Sequence, residues 1–133
     1  MLRLARSAYL EVVAHCWAGR PLEACGLLGG AGDDVSVCYP TANVAESARV
    51  YTVDPRGLLR ADRDAEGRGL EVVGVFHSHT HTAAYPSPTD VAQAPDPAWR
   101  YVIVSLADGE PVLRSYRIVG GNISEEPVVL VPG

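Results

Sequence analysis

The chain has no lysine: its 11 basic residues are all arginine, so it offers no ε-amino group for isopeptide attachment. That absence, beside abundant Ala, Gly, Arg and Pro, points to a GC-rich bacterial genome and concerns codon supply rather than mechanism. Cysteine is scarce and odd in number. With only Cys16, Cys25 and Cys38, no fully paired disulfide framework can form, and no CxxC motif occurs. A reducing cytoplasm is the simplest setting, and whether Cys25 and Cys38 ever pair stays open. Positive charge is nowhere gathered into a patch, and 11 basic against 16 acidic residues leave a net charge of −5, which argues against a nucleic-acid partner. No uncharged apolar run approaches the ~18 residues of a membrane span. Arg3, Arg6, Glu11 and His15 break up the N-terminal apolar stretch that a signal peptide would need. Asn122-Ile123-Ser124 matches a glycosylation acceptor, an accidental match in a cytoplasmic protein.

What is present suffices for one globular domain spanning residues 1–133, with 47% hydrophobic residues to fill its core. No repeat, linker or low-complexity tract divides it. Leu4, Tyr9, Val12, Val13, Cys16 and Trp17 recur at helical spacing and predict an amphipathic helix ending near Gly19, beyond which Pro21 blocks continuation. Cys25 to Gly30 reads as a buried strand closing in a Gly29–Gly32 turn, with Val35 to Tyr39 returning as its hairpin partner. A third strand is expected from Arg49 to Val53. It runs into Asp54-Pro55, a cap and first-turn proline for a charged helix reaching about Gly67. That helix reads as a solvated face. Leu70 to His77 is almost wholly apolar, as suits a central strand buried on both faces. Ser87-Pro88-Thr89-Asp90 opens a short helix that Pro95 and Pro97 end. Strands follow at Tyr101–Leu106, Val112–Val119 and Val128–Val131, the first two joined by a turn at Asp108-Gly109. The fold class is α/β: one sheet with helices packed on it.

The chemistry concentrates in His77-Ser78-His79 followed by Ser87 and Asp90, an HxHx7SxxD run. On an extended segment, side chains at i and i+2 point the same way with Cα atoms roughly 7 Å apart, so two imidazoles can converge on one ion. His81 lies on the same face but roughly 13 Å from His77 along a straight strand, and reads as a rim residue or a solvated one. Asp90, brought back by the loop, is the easier third ligand. It completes the two-imidazole, one-carboxylate set with one open position that catalytic zinc prefers. Ser87 as N-cap with Asp90 at N3 is also an ordinary helix start, and the two roles are compatible. A hydrolytic site further needs a proton acceptor. Of the glutamates, Glu71 is six residues from His77, Glu11 faces outward and Glu66 lies in the charged helix. Glu23, just before the Cys25 strand, is best placed to reach a neighbouring strand end. A Cys25 nucleophile is the rival reading, although a thiol beside a buried strand is more often inert.

These residues resemble the JAMM, or MPN-plus, family of zinc metalloproteases, whose pattern is an upstream glutamate followed by HxHx7SxxD. His77, His79, Ser87 and Asp90 match it without a gap, and Glu23 in Pro21-Leu22-Glu23-Ala24-Cys25-Gly26-Leu27-Leu28-Gly29 matches the segment that carries the glutamate. The resemblance implies a single MPN domain, a mixed sheet flanked by helices of the cytidine-deaminase kind. It implies one Zn2+ per chain held by His77, His79 and Asp90, Glu23 as general base and then acid, and Ser87 as hydrogen-bond donor to the oxyanion. It implies cleavage of a peptide or isopeptide bond at the C-terminal tail of a ubiquitin-like protein. A stand-alone domain resembles the bacterial branch, some of whose members act on ubiquitin-like sulfur-carrier proteins. Release of cysteine from such a carrier, completing a cysteine biosynthesis route, is the leading expectation. The alternatives are a catalytically silent MPN-type scaffold and a peptidase with another ubiquitin-like substrate. Pairing with a second copy as a homodimer is left open.

Overall fold

The computed structural model describes residues 1–133. Eleven elements follow along the chain: β1 (Leu2–Ala5), α1 (Arg6–Ala18), β2 (Cys25–Ala31), β3 (Asp34–Thr41), α2 (Pro55–Gly67), β4 (Glu71–His79), α3 (Pro88–Ala92), β5 (Arg100–Ser105), β6 (Val112–Val119), β7 (Asn122–Glu126) and β8 (Val128–Val131). The strands form one mixed sheet in the order β7-β6-β5-β4-β2-β3-β1-β8. β4 pairs parallel with β5, and β1 pairs parallel with β3 and β8; the other pairings are antiparallel.

Alternate residues on the central strands serve two cores. Leu28, Cys38, Phe76, Val102 and Val104 pack with Ala8, Val12 and Cys16 of α1 on one face. Leu27, Val75, Tyr101, Ile103 and Tyr116 pack with Ala61 of α2 on the other. A bulge shifts the β2–β4 register between Leu28 and Gly29, leaving Val73 of β4 without an opposite residue. Below the bulge the alternation of β4 restarts, so Val75, His77 and His79 share the α2 face. The weak periodicity of Leu70–His77 in the sequence has this origin. Gly26 is required by close packing, because a Cβ there would stand 2.5 Å from the Phe76 ring and from the Tyr39 carbonyl oxygen.

Several expectations are corrected. Leu2–Ala5 is a strand rather than the head of the first helix, since Leu2 and Leu4 pair with β8 and fill the α1-side core. β2 continues through Gly29 and Gly30 to Ala31, and the turn falls at Gly32, whose φ of +59° needs no Cβ. Arg49–Val53 forms no strand: Val53 makes one isolated bridge to Asn43, and the segment is an irregular loop held by side chains. β7 was not foreseen, its Asn-Ile-Ser-Glu-Glu run being mostly exposed and paired on one side only. The expected helix starts hold. Asp54 accepts from the Arg56 amide at 3.0 Å ahead of α2, and Ser87 caps α3. No helix is long and apolar enough to cross a membrane.

Candidate metal centre

His77 and His79 end β4 at its C-terminal edge, and Asp90 sits in the first turn of α3, which the 80–87 loop folds back over that edge. Three ligand atoms meet there. His77 Nε2 lies 3.1 Å from His79 Nε2, and Asp90 Oδ2 lies 3.2 Å from the first and 3.0 Å from the second. A tetrahedral ion with bonds of about 2.0–2.1 Å holds neighbouring donor atoms about 3.3 Å apart. The observed triangle therefore matches one face of such a polyhedron. All three side chains are buried.

The hydrogen bonding around the rings also fits a cation. His79 Nδ1 donates to the Ala83 carbonyl at 2.8 Å, so in the neutral ring Nε2 carries a lone pair. That lone pair faces a carboxylate oxygen and a second imidazole, an arrangement a cation at their centre makes favourable. Asp90 is prepared as an anion: burial opposes its charge, but the hydrogen bonds that the His77 and His79 Nε2 atoms donate to it whenever they carry a proton outweigh burial and hold its carboxyl well below the usual range. Burial pushes the His77 ring below its ordinary value, against the pull of Asp90. For His79 burial also opposes charge, yet the Asp90 and Ala83 hydrogen bonds prevail and raise it. The Asp90 carboxylate accepts from the Ser87 amide at 2.9 Å, while the Ser87 hydroxyl accepts from the Asp90 amide at 3.0 Å. The cap thus fixes the ligand. Because Ser87 Oγ already accepts, its own hydrogen is free to point elsewhere.

Glu23 reaches this edge through sheet register. Cys25 stands opposite His77 in the antiparallel β2–β4 pair, and the Ser78 amide donates to the Ala24 carbonyl at 3.0 Å, which carries Glu23 to the level of His79. Its side chain is 5% exposed, and Oε1 has no hydrogen-bond partner. Burial pushes the carboxyl up to about 7, with His79 opposing and the Asp90 charge adding to the rise. Glu23, His79, His81, Arg49, Thr82 and Ser87 border a cleft of about 570 Å³. His81 is exposed at its rim, bonded to Thr80 Oγ1 at 2.8 Å and outside the ligand triangle.

The 42–53 loop contributes residues that spacing did not single out. Tyr51 stacks on the His77 ring, with centroids 4.2 Å apart and planes at 18°. Ser47 accepts the Glu23 amide through its carbonyl at 2.8 Å. Asn43 donates to the Glu23 carbonyl at 2.9 Å and the Val50 carbonyl at 3.1 Å, and accepts from the Ala45 and Thr52 amides. An asparagine four residues before a serine, in a stretch without strand alternation, is the one available signal. The rival nucleophile does not materialise. All three cysteines are free and buried, and burial raises the Cys25 thiol.

The chain is similar in sequence and fold to known proteins. Residues 5–119 match the family model described as prokaryotic homologs of the JAB domain. The CysO-cysteine peptidase of Mycobacterium tuberculosis H37Rv is 42% identical over 123 residues, covering 90% of this chain and 84% of that protein. The desampylase of Haloferax volcanii is 35% identical over 111 residues, covering 78% and 80%. A Desulfitobacterium hafniense protein of known solution structure superposes with a TM-score of 0.91 at 39% identity, covering 100% of this chain and 94% of that one.

Proposed function

The chain belongs to the family of prokaryotic homologs of the JAB domain and is a metallopeptidase, and we propose that it is a zinc enzyme. In this reading it hydrolyses the amide bond joining a terminal cysteine to the tail of a ubiquitin-like sulfur-carrier protein. The observation that carries the reading is the triangle of His77 Nε2, His79 Nε2 and Asp90 Oδ2 beside the unpartnered Oε1 of Glu23. The mycobacterial relative named CysO-cysteine peptidase supports the choice of substrate. The buried free thiols suit a reducing cytoplasm.

His77, His79 and Asp90 would hold the ion. Bound there, zinc would supply Lewis acidity, making water a stronger acid and polarising an amide carbonyl. Glu23 takes a proton from the attacking water and returns it to the leaving amine. A carboxyl pushed up to about 7 by burial suits both transfers near neutral pH. Ser87 turns its free hydroxyl hydrogen toward the oxyanion that develops on the scissile carbonyl. The tail enters in an extended conformation through the cleft that Glu23, His79 and Ser87 border at the C-terminal end of β4.

The test is to incubate zinc-loaded wild-type and Glu23→Ala protein with carrier proteins ending in cysteine or in a longer peptide, and to weigh the products. Wild type should release free cysteine, and Glu23→Ala should retain zinc with turnover down by 10²-fold or more. Full activity in chelated, metal-free protein would end the reading. Cleavage confined to lysine-linked conjugates would point to another ubiquitin-like substrate.

A further inference from the structure

Arginines elsewhere in the chain are paired or lie on outer surfaces. Arg3, Arg68, Arg100, Arg114 and Arg117 each meet a carboxylate, and Arg20 lies over the Trp17 ring. Arg6, Arg56, Arg60 and Arg63 lie on α1 and α2. Arg49 alone borders the cleft that Glu23 and Ser87 share. No carboxylate stands within 4.0 Å of it to neutralise it, although the chain as a whole is acidic. Its backbone is tied to Glu23 through a single residue. Ser47 accepts the Glu23 amide on its carbonyl at 2.8 Å and the Arg49 amide on its hydroxyl at 3.0 Å.

We infer that Arg49 recognises the free α-carboxylate of the residue being released, so that the cleft selects a single C-terminal residue over a continuing chain or a lysine side chain. The inference rests on the proposed cleavage. In a terminal amino acid the carboxylate carbon is two bonds from the leaving nitrogen, and Glu23 must reach that nitrogen. An exposed arginine whose backbone is anchored through Ser47 to Glu23, and which borders the same cleft, is therefore suitably placed, and its planar fork matches a carboxylate. Thr80, His81 and Thr82 also border the cleft and bring no second cation-pairing carboxylate to compete for Arg49. An isopeptide-linked lysine presents only a methylene stem near its leaving nitrogen, with no anion for Arg49 to meet.

The experiment uses zinc-loaded Glu23→Gln protein, which binds without turnover, and two tail peptides ending in Gly-Gly-Ser. One carries a free carboxylate and the other a carboxamide; serine replaces cysteine so that no thiolate competes for the metal. NMR titration should give about tenfold tighter binding of the carboxylate peptide, as expected for a hydrogen bond to a charged group. Adding Arg49→Ala should abolish that difference and leave carboxamide binding unchanged, while Arg49→Lys should keep part of it. Equal affinity for the two peptides, a preference that survives Arg49→Ala, or no binding of either would overturn the inference. An Arg49-dependent preference without cleavage of any carrier tail would sink the proposed function while leaving Arg49 as the residue that binds a terminal carboxylate. Cleavage of carrier tails with equal peptide binding would do the reverse.

Discussion

The Asn43 side-chain amide donates to the Glu23 backbone carbonyl at 2.9 Å, joining an irregular loop to the lead-in of β2. That one side chain makes four hydrogen bonds, three of them to the loop itself. It substitutes for the strand pairing that Arg49–Val53 does not make. Replacing Asn43 by Ala should cost about 2–4 kcal/mol of stability. Turnover should drop because Glu23 loses its anchor, while zinc content stays near one per chain. Thermal denaturation, metal analysis and kcat together check this; wild-type turnover at an unchanged melting temperature would refute it.

Ser87 serves both as helix cap and, in the proposed mechanism, as oxyanion donor. Ser87→Ala should cost about 1 kcal/mol through the lost cap and about 10²–10³-fold in kcat through the lost donor. The two effects separate by measurement. A variant that loses stability but retains kcat would reduce Ser87 to a cap.

Metal removal should silence the enzyme without unfolding it, because the two cores on either face of the sheet lie outside the ligand triangle. Chelated protein should keep its far-UV circular dichroism, melt at a lower temperature in proportion to the lost binding energy, and recover on adding zinc. Asp90→Ala should neither retain zinc nor recover. Loss of secondary structure on chelation would show instead that the metal is structural.

Thiol reagents should leave the native enzyme untouched. Burial pushes the Cys16 and Cys38 thiols up to about 12 and raises Cys25 as well, so little thiolate is available to react. Mass spectrometry after iodoacetamide should find no adduct on folded protein and three on unfolded protein. Rapid inactivation through Cys25 would revive the cysteine nucleophile.

Stability should decline in acid through the turn between β2 and β3. Hydrogen bonds from Arg100 and Arg3 hold Asp33 and Asp34 below the ordinary carboxylate value. Because the folded values lie below the unfolded value of about 3.9, the stabilisation is complete above that pH. It is lost as pH falls through the folded values. Both carboxylates are exposed, so the effect should be modest and weaken with salt. Melting temperatures from pH 7 to pH 3 at two salt concentrations test it. An Asp33→Asn, Asp34→Asn double variant should show a flatter profile, and an unchanged profile would discount these pairs.

Much of the fold was legible because local chemistry and tertiary need agreed. Asp54-Pro55 and Ser87-Pro88 are helix starts that depend on nearby backbone alone, and both appear where expected. Disagreement arose where a distant partner decides the state. Leu2–Ala5 has apolar spacing that a helix could use, but β8 and β3 claim it as a strand. Arg49–Val53 has strand-like composition, but Asn43 and Ser47 take up its backbone groups first.

The order of residues alone determined which groups could form a metal site: two imidazoles in step on a strand, and a carboxylate locked by its own helix cap, are relations spanning a few bonds. Only the folded sheet decided where the glutamate and the arginine stand. The pairing of Cys25 with His77 slides Glu23 alongside His79 from 56 residues away in sequence, and the Ser47 bridge brings Arg49 with it. Such register depends on long-range hydrogen bonding and core packing, which short-range spacing does not encode.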